Sequence, residues 1–195
     1  MDNTTTRTDP RVLRTRQLLR DAFIELLQEM DFEKISVNRL AERATINRVT
    51  FYLHYRDIPD MLEKMAEDMI DDIHQVLDNA PPNPNPEEEE YWPMLVNLLD
   101  HIAKHAKFYK VILATNRTTI FSDRLLKLLA ELVADRIERM ESESYISKAN
   151  IQKDIAIWYS SSALIGTIIA WLRKDIPYTP LFLAKQFSLM RLLPR

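Results

Sequence analysis

The sequence predicts an all-α protein built as an amino-terminal three-helix unit followed by a larger helical body. Three observations predict it. Only one glycine occurs in 195 residues, so the tight turns of an extensive β-sheet cannot be supplied. Long runs of Leu, Ala, Glu, Arg and Lys favour the helix intrinsically. Apolar residues also return at three- and four-residue spacing, as in Leu18, Leu19, Ala22, Phe23, Leu26, Leu27 and Met30.

The elements follow in order. Residues 1–9 are polar and are expected to form a disordered tail. Asp9-Pro10 starts the first helix, a cap followed by a proline whose missing N–H costs nothing at the first helical position. Ser36 caps a second, short helix, VNRLAERA, and Asn47 a third, RVTFYLHY. Asp57, with Asp60 three residues on, caps a fourth that runs through Met61, Leu62, Met65, Met69, Ile73 and Leu77. The stretch 80–90, APPNPNPEEEE, breaks the helix, because its prolines lack donors and its glutamates repel one another; it is expected to be a surface loop. Four helices are expected beyond it, at about 91–114, 119–140, 148–173 and 180–192. The expected division is a helix-turn-helix domain over 10–56 and a helical body over 57–195.

Composition excludes several chemistries. A lone glycine cannot build a phosphate-cradling loop or a dinucleotide fingerprint, where backbone must approach the phosphates. The absence of cysteine removes disulfides, thiolate catalysis and cysteine zinc sites. His101 and His105 lie four apart, but two histidines do not close a metal site, and neither a metal nor a cofactor is expected. Serines 160–162 have no nucleophile elbow around them, so an enzyme is not expected. The start of the chain lacks the apolar core of a secretory signal, which makes the cytoplasm the expected location. Residues 155–172 carry no charge, yet three serines and balanced flanks favour a buried helix over a membrane span.

Charge is unevenly placed. The net charge is only −3, but Arg7, Arg11, Arg14, Arg16 and Arg20 crowd the start of the chain against Asp9 alone. Lys34, Arg39, Arg43, Arg48 and Arg56 follow, and then the sign reverses through Asp57–Asp100. A basic head on an acidic body points to a locally anionic partner. Within that head, residues 36–55 have the pattern of a helix-turn-helix. Ala41 takes the small position where two helices cross, Leu40 and Ala44 flank it, Ile46 fills the turn, and Val49 or Phe51 packs from the second helix. The turn position that favours glycine is Thr45, a costly place for a β-branched residue. On a helix starting at Arg48, Phe51 and Tyr55 share the inner face, which leaves Arg48, Thr50, Leu53 and His54 outward and the Tyr52 hydroxyl at the margin. These side chains suit a major groove: arginine pairs with guanine, threonine bonds a base or phosphate, and leucine touches a thymine methyl.

The leucine-rich first helix ending in Met30-Asp31-Phe32, the stretch Ile35–Ala41, and Thr50-Phe51-Tyr52-Leu53-His54-Tyr55 before a capped helix together resemble the tetracycline-repressor (TetR) family of transcriptional regulators. The resemblance covers about residues 10–65. It continues more loosely through Phe108-Tyr109, Ala163–Thr167 and Trp171-Leu172. It implies a DNA-binding first domain and a larger ligand-binding and dimerisation domain. It also implies a homodimer on double-stranded operator DNA, a repressor released by a small-molecule effector. The implied DNA contacts are Tyr52 and His54. Asn38, Asn47, Arg48, Thr50 and Leu53 complete the expected interface, while the lysine often found at the start of the family's fourth helix is Ile58 here. The expected effector pocket is lined by Trp92, Phe108, Tyr109, Phe121, Trp158 and Tyr159. The expected dimer surface pairs helix 119–140, through Leu125, Leu128 and Leu132, with the small residues Ser162, Gly166 and Ala170 of the apolar helix. The competing readings are a helical protein-interaction module and a small helical enzyme.

Overall fold

A computed structural model describes residues 9–79, 93–114, 119–139 and 151–190; the expected tail up to residue 8, the 80–90 loop and Trp92 lie outside them. The described chain is helical throughout, with no strand. It divides into two compact units, Met1–Met65 and Ala66–Arg195. The sequence placed the boundary at 56/57. The division comes later because the first turns of the fourth helix are bound to the amino-terminal unit. Lys64 Nζ donates to the His54 carbonyl at 3.2 Å and lies 5.5 Å from the centre of the Tyr55 ring.

The amino-terminal unit contains α1 (Pro10–Glu29), a 3-10 turn (Phe32–Lys34), α2 (Val37–Arg43) and α3 (Arg48–Tyr52), and α4 (Ile58–Asp78) begins in it. The helices start at the expected caps. Asp9 accepts from the Arg11 N–H at 2.8 Å, Ser36 from Arg39 at 3.4 Å, Asn47 from Val49 at 2.8 Å, and Asp57 from Asp60 at 2.8 Å. Each cap answers an N–H that the first turn leaves unpaired. The apolar stripe of α1 (Leu19, Ala22, Phe23, Leu26, Leu27) is buried with Leu40 and Ala41 of α2 and Phe51 of α3. Outside this core, Arg43 clamps α2 to the end of α1, donating to both Glu29 carboxylate oxygens at 2.9 and 2.6 Å. The bidentate bond holds the Glu29 carboxyl below its ordinary range.

Between α2 and α3 the chain turns through Thr45 at φ 55°, the left-handed conformation that threonine adopts only under constraint. The constraint is visible. Ile46 N–H donates to Ala41 O at 3.0 Å and Thr45 N–H to Glu42 O at 3.1 Å, closing α2 with paired C-terminal bonds. The turn that sequence flagged as costly is therefore made, with the cost retained.

The carboxy-terminal unit holds the rest of α4, then α5 (Pro93–Lys104), α6 (Ala106–Ala114), α7 (Ile120–Arg139), α8 (Lys153–Arg173) and α9 (Pro180–Met190). The single helix expected over 91–114 is two, broken at His105, and no proline or glycine marks the break. Helix α8 packs on α7 and α6, and α9 packs on α5. The shared core is Leu98, Leu99, Ile102, Tyr109, Ile112, Phe121, Leu125, Leu129, Leu164, Ile168, Trp171 and Leu172. Helix α8 ends in a second left-handed closure, at Asp175 and Ile176, where Lys110 reaches from α6 to pair with Asp175. By length and composition α8 could cross a membrane; a third of its apolar window is buried inside the unit.

Candidate nucleic-acid interface

Helix α3 is only five residues long, and its geometry decides which side chains are offered. The expected helix ran to Tyr55. Instead Leu53 caps it, and tight bonds from Leu53 N–H to Thr50 O and from His54 N–H to Phe51 O close the last turn. Phe51 and Tyr55 are buried, their ring centres 5.6 Å apart, and they form the floor on which the outer residues stand. Phe51, not Val49, supplies the packing contact; Val49 is 66 % exposed and belongs to the outer face. Sequence reasoning missed Val49 because valine is more often found inside, and spacing alone allowed either residue.

The outer face carries Asn38 at the start of α2 and, from α3 onward, Arg48, Val49, Tyr52 and Leu53, all exposed. Leu53 is 77 % exposed. Arg48 Nη2 donates to the Tyr52 hydroxyl at 3.1 Å, and its guanidinium carbon lies 5.4 Å from the centre of the Tyr52 ring. One turn of helix thus holds the arginine fork in place, a cation over an aromatic face. Asn47 is exposed, but its side-chain oxygen is occupied as the cap of α3, leaving its amide N–H groups as donors. Thr50 and His54 are half-buried at the rim. Burial first, and then the charge of Arg16 on α1, holds the His54 imidazole below its ordinary pKa, which favours the neutral form at pH 7. The arrangement is a short rigid ridge with one planar cation, one phenol, two apolar tips and a titratable ring, dimensioned for a groove and not for enclosing a small substrate.

The other expected sites lie in the carboxy-terminal unit, and the structure gathers only part of each. Phe108, Tyr109 and Phe121 meet edge to face, with ring centres 5.3 and 6.1 Å from Phe108, and His101 abuts Tyr109 at 5.8 Å. Trp158 and Tyr159 do not join them. They are 64 % and 77 % exposed on the outward face of α8, because the opposite face, through Ala156, Leu164 and Ile168, is the one that packs inward. Leu125 and Leu128, expected at a dimer surface, are buried in the unit's own core, and Leu132 is half-buried. Ser162, Gly166 and Ala170 do lie on the open face of α8 with Ile155 and Tyr159. The one buried serine of the triplet, Ser161, donates back to Ile157 O at 2.8 Å, which leaves its hydroxyl engaged within its own helix. His101 and His105 have ring centres 4.8 Å apart, but among the described residues no group of three or more ligand-type side chains is placed to hold a metal.

Comparison with known proteins agrees with this architecture. The family described as transcriptional regulator C-terminal region, of the TetR type, matches residues 89–191, just over half the chain. An uncharacterized HTH-type transcriptional regulator of Bacillus subtilis (strain 168), YxbF, is 24 % identical over 185 residues, covering 92 % of this chain and 45 % of that protein. The chain thus spans less than half the length of that relative. A TetR transcriptional regulator from Streptococcus agalactiae 2603V superposes with a TM-score of 0.67 and 26 % identity, covering 93 % of this chain and 95 % of the other. The transcriptional regulator FadR of Bacillus subtilis, solved in complex with stearoyl-CoA, superposes with a TM-score of 0.64 and 16 % identity, over 91 % and 97 % of the two chains. With a helix-turn-helix over α2 and α3, an all-helical body behind it, and a family match across most of that body, the chain belongs to the TetR family of transcriptional regulators.

Proposed function

We propose that the protein is a cytoplasmic, DNA-binding repressor that works as a homodimer and leaves its operator when a small molecule binds the carboxy-terminal unit. The observation that carries this is the outer face of α3: Arg48, Val49, Tyr52 and Leu53 stand exposed on a floor of buried Phe51 and Tyr55. An exposed apolar pair beside a held arginine has no role in the fold, whereas in a major groove it meets thymine methyls and guanine edges. Asn38, Asn47, Thr50 and His54 take the flanking contacts. A twin copy sets two such helices about 34–36 Å apart, in successive grooves of a near-palindromic site.

The surface offered to that second copy is the open face of α8 (Ile155, Trp158, Tyr159, Ser162, Gly166, Ala170), extended by Tyr178, Leu181, Phe182, Leu189 and Met190, all exposed on or beside α9. This replaces the pairing of 119–140 with 153–173. The leucines of α7 are already used inside the subunit, and two helices from each copy still make a four-helix bundle. The effector seat is the aromatic cluster around Phe108, whose ring is half-buried while Tyr109 and Phe121 are closed over. An effector that prefers the conformer with displaced recognition helices weakens DNA binding, and DNA weakens the effector by the same factor.

The test is fluorescence anisotropy with the duplex upstream of the protein's own gene and with a scrambled duplex. Tight binding to the first, falling steeply as salt rises, is expected. Equal, weak binding to both would remove the specific-regulator function. Binding that ignores salt would favour a protein-interaction module.

A further inference from the structure

Between Asp57 and Asp100 the chain carries a single Lys or Arg, Lys64, among many carboxylates. A lone cation in an acidic helix ordinarily pairs one turn away, and Lys64 does meet Asp60 at 3.1 Å. It also reaches out of its own helix. The same ammonium donates to the His54 carbonyl at 3.2 Å, ten residues back, and lies 5.5 Å from the centre of the Tyr55 ring. One nitrogen with three donors thus serves a carboxylate, a carbonyl and a ring face. The carbonyl and the ring both belong to the segment that closes α3.

Helix α3 needs such a grip. Five residues do not stay helical by themselves, so the direction of α3 is set by what holds it. Asn47 caps its start, and beneath it Phe51 lies buried against the Tyr55 ring. Its end is held from α4. Asp60 accepts from the Arg56 backbone N–H at 3.0 Å and from Lys64, and Lys64 in turn holds the His54 carbonyl and the ring on which Phe51 rests. The first position of α4 contributes no cation, because Ile58 is buried there. We propose that Lys64 is a positioning residue for sequence reading, which fixes the aim of α3 by tying the end of the recognition turn to α4 and does not itself touch DNA. The proposal rests on the DNA-binding function proposed above. Bidentate bonds to a base edge tolerate little displacement, whereas attraction between arginines and phosphates changes slowly with distance. Loosening the end of α3 therefore costs specific binding and spares non-specific binding.

The test compares two duplexes, the site that the wild type selects from a random library and a random-sequence duplex of equal length. Lys64→Met keeps the stem of the side chain and removes its donors, while Lys64→Arg restores donors beside the same ring. In anisotropy titrations over a series of KCl concentrations, Lys64→Met is expected to bind the selected site about tenfold more weakly, the cost of one misplaced base contact. Its affinity for the random duplex and its salt slope should match the wild type, and Lys64→Arg should recover most of the loss. A salt slope lowered by about one, with both duplexes weakened alike, would make Lys64 a phosphate contact and overturn the proposal. Both affinities intact, with or without a lower melting temperature, would leave Lys64 a structural residue and overturn it too. Either result keeps the DNA-binding function. Wild-type protein that selects no site from the library overturns the specific DNA-binding function and the proposal together.

Discussion

Helices α3 and α8 solve opposite problems. The five residues of α3 put one ring, Phe51, inward and leave Arg48, Val49 and Tyr52 outward. The twenty-one residues of α8 are apolar almost all round, and only packing decides which face is covered. In α3 the exposed residues are those a core does not need. In α8 the exposed residues, Trp158 and Tyr159 above all, are ones a core could have used. The difference teaches that exposure has two meanings in this chain. On α3, under the proposed function, it marks chemistry directed at a polar, charged partner. On α8, under the proposed function, it marks apolar surface offered to a second copy of the chain.

The sharpest way to break the contrast is to remove the floor of α3. Phe51→Ala deletes a fully buried ring, and urea unfolding should show a loss of about 3–5 kcal/mol, with DNA binding lost as well. A cost below about 1 kcal/mol would mean that α3 is not held by that ring.

The corresponding change on α8 should leave the subunit folded but alone. Trp158→Glu is expected to weaken association by about 2–4 kcal/mol, shifting sedimentation from dimer to monomer at micromolar concentration with helical content retained. A variant that stays dimeric would clear this face of the role. Gly166 sharpens the same point, because a Cβ there meets nothing within 4 Å in the isolated chain. Gly166→Ala should therefore raise subunit stability by about 0.5–1 kcal/mol while weakening association. A gain in both would place the partner elsewhere.

Smaller effects belong to the joints. Thr45→Gly relieves the left-handed turn between α2 and α3 and should stabilise by about 1 kcal/mol in urea melts; a loss would mean that the threonine side chain earns its place. At the head of α4, the Asp60 carboxyl is held below its ordinary range, first by the Arg56 backbone N–H and then by Lys64. A depressed carboxyl stabilises the fold above its unfolded pKa, and that contribution fades as pH falls through the folded value. Thermal melts between pH 7 and pH 3 should accordingly show a shallower decline for Asp60→Asn than for the wild type. Parallel declines would mean that the carboxyl contributes nothing.

Much of the amino-terminal unit was legible because its signals are local. Asp9, Ser36, Asn47 and Asp57 each stand immediately before a helix they cap, and Phe51 and Tyr55 lie four apart. Val49 and the early end of α3 were not legible, since both depend on how the turn at Thr45 aims the helix against α1 and α2. Leu125 and Leu128 show the deeper limit. A leucine facing its own subunit and one facing a partner have the same hydropathy, so only the packing of α7 on α8 separates them. Trp158 and Tyr159 were drawn toward a pocket for the same reason: a uniformly apolar helix does not announce which side is inner. The family match falls on residues 89–191, the half where motif reading was weakest, and the helix-turn-helix signals fall on the other.

The central claim is that the outer face of α3 reads base pairs, and Arg48 is its most discriminating group. Selecting preferred sites from a random duplex library with wild type and Arg48→Ala tests it most directly. The account predicts that the variant still binds duplex but loses about 1–3 kcal/mol of discrimination at one base pair of each half-site. The same preferred sequence from both proteins, position for position, would contradict it.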